Sequence, residues 1–166
     1  YGNVMCSRGS VIPYFLSQRQ YGKLPITHPD MTRFNISLDE GCKMVEWCLD
    51  SMSGGEIFVP KIPSYRILDL AKAICPNCET PVIGIRPGEK LHEEMITSSD
   101  SYHTIDLGSY FAILPTGDHD LIDDYIAANG GSLMQPGKSY TSDTNEHFLT
   151  VEELSDLVRA DSEIDV

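Results

Sequence analysis

Between Ser37 and Ile85 the spacing of apolar residues switches back and forth between helical and extended periods, and this alternation constrains the fold more than any other feature. Ser37-Leu-Asp-Glu40 is a capping box, in which the serine hydroxyl and the glutamate carboxylate each accept a free backbone N–H of the helix start. Leu38, Cys42, Val45, Leu49 and Met52 follow at alternating steps of four and three, one face of a helix, and Gly54-Gly55 stops it. Glu56-Ile-Phe-Val-Pro60 is a short β-rich run closed by proline. Ser64 opens a second helical pattern through Ile67, Leu70, Ala71 and Ile74, which Pro76 ends, and Thr80-Pro-Val-Ile-Gly-Ile85 reads as another strand. Up to about residue 97 the order is strand, helix, strand, helix, strand, as expected of α/β layering.

Residues 98–166 differ. The pattern from Ser98 to Ser142 is irregular and predicts no strand with conviction, although Asp120 to Ala128 reads as a helix ended by Asn129-Gly-Gly131. Thr150-Val-Glu-Glu153 is a second capping box, with Leu149 and Leu154 placed as a hydrophobic staple, so a last helix is expected to about Arg159 and a frayed acidic end from Asp161. The expected division is therefore 1–97, a region of α/β type, and 98–166, an acidic irregular region with a final helix.

Charge follows the same division. The chain of 166 residues carries 25 acidic and 12 basic residues, net −13. Residues 1–97 hold 10 bases and 11 acids, net −1, whereas Lys138 and Arg159 face 14 acids in residues 98–166, net −12. Such a balance argues against nucleic acid, whose phosphates require clustered Lys and Arg, and assigns any anionic ligand to the first part. No apolar run approaches the ~18 residues of a membrane span, so the chain reads as soluble, without a signal peptide, and cytoplasmic. Five cysteines form no dense disulfide pattern and suggest a reducing compartment. Cys75-Pro-Asn-Cys78 lacks a second ligand pair and begins where a helix ends, so neither a metal site nor a functional disulfide is expected there.

Three segments could carry chemistry. Ser7-Arg-Gly-Ser10 precedes the apolar run Val11-Ile-Pro-Tyr-Phe-Leu16, with Pro13 early in a helix, so free N–H groups of a helix start are offered to an anion, although on spacing alone an ordinary cap is the simpler reading. Ile85-Arg-Pro-Gly-Glu-Lys90 puts a cation and a carboxylate on a turn after a strand, where α/β folds hold ligands, or is simply a turn with a surface ion pair. Thr27-His-Pro-Asp-Met-Thr-Arg33 is a polar loop between apolar runs.

These segments, with Tyr1-Gly-Asn-Val4, Met31-Thr-Arg-Phe34, Gly54-Gly-Glu-Ile-Phe-Val-Pro-Lys-Ile-Pro63, Gly84-Ile-Arg-Pro-Gly-Glu-Lys-Leu-His-Glu93 and Tyr140-Thr-Ser-Asp-Thr-Asn145, resemble the C-terminal half of the configuration-inverting UDP-N-acetylglucosamine 4,6-dehydratases. Those are extended short-chain dehydrogenase/reductases with an N-terminal Rossmann domain for NADP and a smaller C-terminal domain for the nucleotide sugar. The resemblance implies an α/β fold comprising the last Rossmann elements and a small mixed substrate-binding domain. It also implies UDP-N-acetylglucosamine contacts at Asn3, Val11, Thr27, Arg86, Glu89 and Tyr140, with Arg33 a weaker candidate that serves equally as a structural ion-pair partner. The stretch Val4, Met5, Cys6, Ser7 and Arg8 would pass beside NADP. Cys6 and Asn35 depart from the family pattern, which often has a small residue and an aromatic one there.

No Gly-rich dinucleotide fingerprint occurs, and none of the eight tyrosines is followed four residues later by lysine. The resemblance implies that NADP oxidises C4 of the sugar, a base removes the acidified C5 proton, water leaves C6, and hydride returns with inversion at C5. Those roles fall outside these residues, so no catalytic residue is assigned, and the chain alone is expected to be inactive and the full-length enzyme homo-oligomeric. The alternatives are a related UDP-sugar epimerase or dehydratase, and a non-catalytic nucleotide-sugar-binding module.

Overall fold

A computed structural model describes residues 2–115 and 117–162, with the side chains of the last two of these left aside. The chain is mixed α/β and divides into two compact units, each drawing on residues from both sides of position 97. One is formed by Leu38–Ile62 and Glu94–Thr141; the other by Gly2–Ser37, Pro63–Glu93 and the chain from Ser142 onward.

The second unit is built on a three-stranded sheet. Strand β1 (Asn3–Val4) runs parallel to β2 (Thr32–Ile36), which pairs antiparallel with β4 (Ser64–Arg66). Helices α1 (Val11–Gln18), α3 (Ile67–Ile74) and α5 (Val151–Ser162) supply the remaining core, in which Phe15, Leu24, Phe34, Leu70 and Leu154 are almost wholly buried. The second capping box forms as its spacing predicts: the Thr150 N–H and hydroxyl donate to Glu153 Oε2 at 2.8 and 2.9 Å, and the Glu153 N–H donates back to Thr150 Oγ1 at 3.2 Å. These bonds hold the Glu153 carboxyl below the usual carboxylate range.

Three expectations fail in this unit. Ser64 does not open a helix: Ser64–Arg66 is a strand, because β2 takes it as a partner and Ser64 also exchanges backbone bonds of 2.9 and 2.8 Å with His147 and Leu149. Nor is Thr80–Ile85 a strand. It runs beside Gly22–Ile26 with isolated parallel bridges, such as Ile26 with Val82, and its Val82, Ile83 and Ile85 side chains are exposed. Cys75 and Cys78 are joined in a disulfide, against the sequence expectation; α3 ends at Cys75 and the following turn brings the two Cα atoms to 5.4 Å, within bridging range.

In the first unit the order is β3 (Ile57–Pro60), β7 (Tyr110–Ile113), β6 (Thr104–Asp106) and β8 (Ser132–Leu133), all antiparallel. A separate antiparallel pair joins β5 (Glu94–Ile96) to β9 (Tyr140–Thr141). The region expected to be irregular thus holds several short strands. Helix α4 (His119–Asn129) begins at Asp118, whose carboxylate caps the Asp120 N–H at 3.0 Å, and Gly130-Gly131 turns the chain into β8. Gly131 has φ +91°, and a Cβ there would collide with the Asp106 carbonyl, so β8 can approach β6 only at a glycine.

Helix α2 (Leu38–Ser51) forms where predicted, with a different face inward from the predicted apolar stripe. Gly41 and Met44 are buried, and Trp47 stacks on Tyr110 at 4.1 Å and meets Phe58 edge-on at 5.0 Å. This aromatic cluster fixes the helix rotation, leaving Leu38 70%, Val45 49%, Leu49 69% and Met52 47% exposed.

Candidate functional site

The second unit contains a cavity of about 640 Å³, a size typical of small-molecule sites. Its walls come from the end of β1, the start of α1, the Pro25–Thr27 loop, β2, and the turn at Arg86–Glu89. Asn3, Val11, Thr27, Arg33, Arg86 and Glu89, singled out from sequence segments far apart in the chain, all line it, as do Val4, Met5 and Cys6. Ser7 and Arg8 are exposed in the turn between β1 and α1. Tyr140 belongs to the first unit, where its hydroxyl donates to the Ile62 carbonyl at 3.1 Å and accepts from the Ile62 N–H at 3.2 Å. Burial pushes that phenol up to about 12, so it stays neutral at physiological pH.

The Arg86–Glu89 turn is closed on itself. The Glu89 N–H donates to Arg86 O at 3.0 Å, the Arg86 N–H donates to Glu89 Oε2 at 3.1 Å, and Gly88 takes φ +82° at the bend. The Thr27 hydroxyl reaches Glu89 Oε1 at 3.5 Å. The exposed Arg86 guanidinium makes no hydrogen bond or ion pair among the described residues, so its donors are available to an anion. Ser10 lines the same cavity, and its hydroxyl, just before α1, is buried and without a hydrogen-bond partner among the described residues. An orphaned buried hydroxyl at a helix start and an open guanidinium together suit a ligand that is anionic and rich in oxygen.

Sequence reasoning passed over Tyr65, whose place on β4 was read as helix. It lines the cavity and is 3% exposed, with burial pushing its phenol up to about 12. Among the described residues no group of three or more His, Cys, Asp or Glu is placed to hold a metal ion. No helix among them is long and apolar enough to cross a membrane.

Residues 1–115 match a family model described as polysaccharide biosynthesis protein. The chain belongs to that family. Similar proteins include UDP-N-acetylglucosamine 4,6-dehydratases (inverting) from two strains of Campylobacter jejuni, 46% and 48% identical over 95% of this chain and 49% of each relative. A UDP-glucose 4-epimerase from Rickettsia canadensis is 39% identical over 95% of this chain and 47% of its own length. Among solved structures, the X-ray structure of Pen from Bacillus thuringiensis superposes with a TM-score of 0.79 at 30% identity, covering 98% of this chain and 49% of that one. The fold is thus the one expected for the C-terminal part of an extended short-chain dehydrogenase/reductase, and the chain spans about half the length of the relatives it matches.

Proposed function

We propose that this chain is the C-terminal, substrate-binding part of an NADP-dependent, C5-inverting UDP-N-acetylglucosamine 4,6-dehydratase acting in nucleotide-sugar biosynthesis. The observation that carries the reading is convergence: Asn3, Val11, Thr27, Arg86 and Glu89, assigned to substrate by their motifs, line one cavity. Arg86 offers a fork of N–H donors to the diphosphate, and Thr27 and Asn3 offer polar groups to the sugar or uridine hydroxyls. Glu89 serves either as an acceptor for such hydroxyls or as the brace of the Arg86 turn, whose N–H it already holds. Tyr140 stays a candidate by motif alone.

Val4, Met5 and Cys6 fit a cofactor lying against the same cavity, with Ser7 and Arg8 exposed beside it. The bound nicotinamide would supply reversible hydride transfer. This chain's own residues bind and orient the sugar nucleotide, while proton transfer belongs to the half of the relatives it does not match. The outward stripe of α2 accords with such a partial chain. A cytoplasmic, homo-oligomeric complete enzyme is part of the same reading.

The 39% identity to a UDP-glucose 4-epimerase supports a second reading, epimerisation of a UDP-hexose. Both are tested by incubating UDP-N-acetylglucosamine and NADP with the chain alone and with the chain fused to a first half of the family. A 4-keto product from the fusion only is expected. Product from the chain alone overturns the division of labour; a C4 epimer without dehydration selects the second reading.

A further inference from the structure

Arg33 differs in kind from Arg86. Strand β2 sets it opposite Tyr65 of β4, and its side chain is only 11% exposed. Nη1 donates to the carbonyl oxygens of Thr32 at 2.7 Å and Leu91 at 3.1 Å, Nη2 donates to that of Lys90 at 3.0 Å, and Nε lies 3.4 Å from Glu93 Oε1. A guanidinium has five N–H donors in a fixed plane, and most of these are committed to Lys90–Glu93. That stretch has no regular secondary structure, so no helix or ladder fixes its path. It follows directly on Glu89. The neighbouring β2 residue grips it as well: the Thr32 N–H donates to Leu91 O at 3.2 Å and the Thr32 hydroxyl bonds His92 Nδ1 at 2.8 Å.

We infer that Arg33 is a positioning residue that pins Lys90–Glu93 to β2 and thereby presets the Arg86–Glu89 turn before any ligand arrives. The inference rests on reading the cavity as a nucleotide-sugar site, since that ligand gives the turn its purpose. Direct contact with a diphosphate would require Arg33 to surrender charge-assisted and carbonyl bonds it already has, whereas the Arg86 guanidinium has none among the described residues to surrender. Lysine at position 33 keeps the charge but cannot span several carbonyls and a carboxylate in one plane.

Two measurements on the 166-residue chain test this. Without ligand, Arg33→Lys should speed hydrogen exchange at the Arg86 and Glu89 amides about tenfold, with the amides of α3 and α5 unchanged, because only the strap's local opening is altered. In UDP titrations the same substitution should weaken affinity about tenfold, but less than about twofold once Arg86→Ala has removed the turn's guanidinium and Glu89→Ala the carboxylate that accepts the Arg86 N–H, since residues acting through one element are not additive. Glu93→Gln should reproduce both patterns more mildly, and decides the matter if Arg33→Lys does not fold. Unchanged exchange in both variants overturns the inference, as does a loss of affinity that is fully additive with the turn substitutions. If the wild-type chain binds no UDP, the nucleotide-sugar reading fails, and the ligand-free exchange still shows whether Arg33 holds the turn.

Discussion

Thr32→Val isolates the buried polar junction beneath the candidate site. Valine keeps the volume, the branching and the strand preference of β2, and deletes one hydroxyl. That hydroxyl, on a residue 3% exposed, lies 2.7 Å from Ser142 Oγ and 2.8 Å from His92 Nδ1. Ser142 is wholly buried; its Oγ accepts the Glu93 N–H at 2.9 Å and its own N–H donates to Glu93 O at 2.8 Å. The substitution leaves the Ser142 hydroxyl only the bond it accepts from the Glu93 N–H, its own proton facing a methyl group, at a cost of ~1–3 kcal/mol for an unpaired buried donor, and removes the His92 bond, worth ~1 kcal/mol because half-buried His92 regains water. The sum is about 2–4 kcal/mol, or roughly 5–15 °C in Tm for a chain of this size. Urea unfolding should show a lower midpoint at an unchanged slope. Adding Ser142→Ala removes the stranded group, so the double variant should lose less than the sum of the singles by about 1 kcal/mol. A Thr32→Val loss below ~0.5 kcal/mol, or strict additivity, would show that the junction is satisfied by solvent and braces nothing.

Cys6 is the only non-glycine residue with positive φ among the described residues, at 53°, and Cys6→Gly should raise stability by about 0.5–1 kcal/mol in urea unfolding, the left-handed strain outweighing lost packing and added chain entropy; a lower midpoint would show that the thiol's packing dominates. Leu49→Ser should change the stability of this chain by less than ~0.5 kcal/mol, because Leu49 is 69% exposed. A large loss would mean that the outward stripe of α2 is covered in solution. Tyr65 and Tyr140 are raised to about 12 in the folded chain, against an ordinary value near 10, so the folded state holds protons that the unfolded state releases. Their contribution is intact below pH ~10 and fades as pH rises towards ~12; Tyr65→Phe should flatten that alkaline decline in a pH series of melts, and an unchanged slope would contradict the shift.

Much of the fold was legible where local chemistry is self-contained. The helices α4 and α5 announce themselves through a glycine stop and a capping box, and both form within a few residues of the expected limits. Where tertiary partners decide, local pattern misleads. Ser64 has the chemistry of a cap, yet β2 and the Phe148–Leu149 segment claim it as sheet. The apolar stripe of α2 is the more regular face, yet Trp47 packing on Phe58 and Tyr110 turns a different face inward. The β6–β7 hairpin was missed because its strands are short; the signal was Asp106-Leu-Gly-Ser109, whose Asp106 carboxylate accepts the Gly108 N–H at 2.8 Å. For the site, the motifs name segments that line one cavity, but no spacing reveals that Arg33 is occupied by its own chain while the Arg86 guanidinium makes no bond among the described residues.

Titration of the isotope-labelled chain with UDP-N-acetylglucosamine, followed by amide and side-chain NMR, tests most directly whether the cavity of the second unit takes a nucleotide sugar. Saturable shifts should cluster at Asn3, Val11, Thr27, Arg86 and Glu89, and Arg86→Ala should weaken binding about 10- to 100-fold, the loss of a charge-assisted bond worth ~1.5–3 kcal/mol. No saturable binding, shifts confined to the sheet formed by β3, β7, β6 and β8, or an affinity indifferent to Arg86 would contradict the assignment.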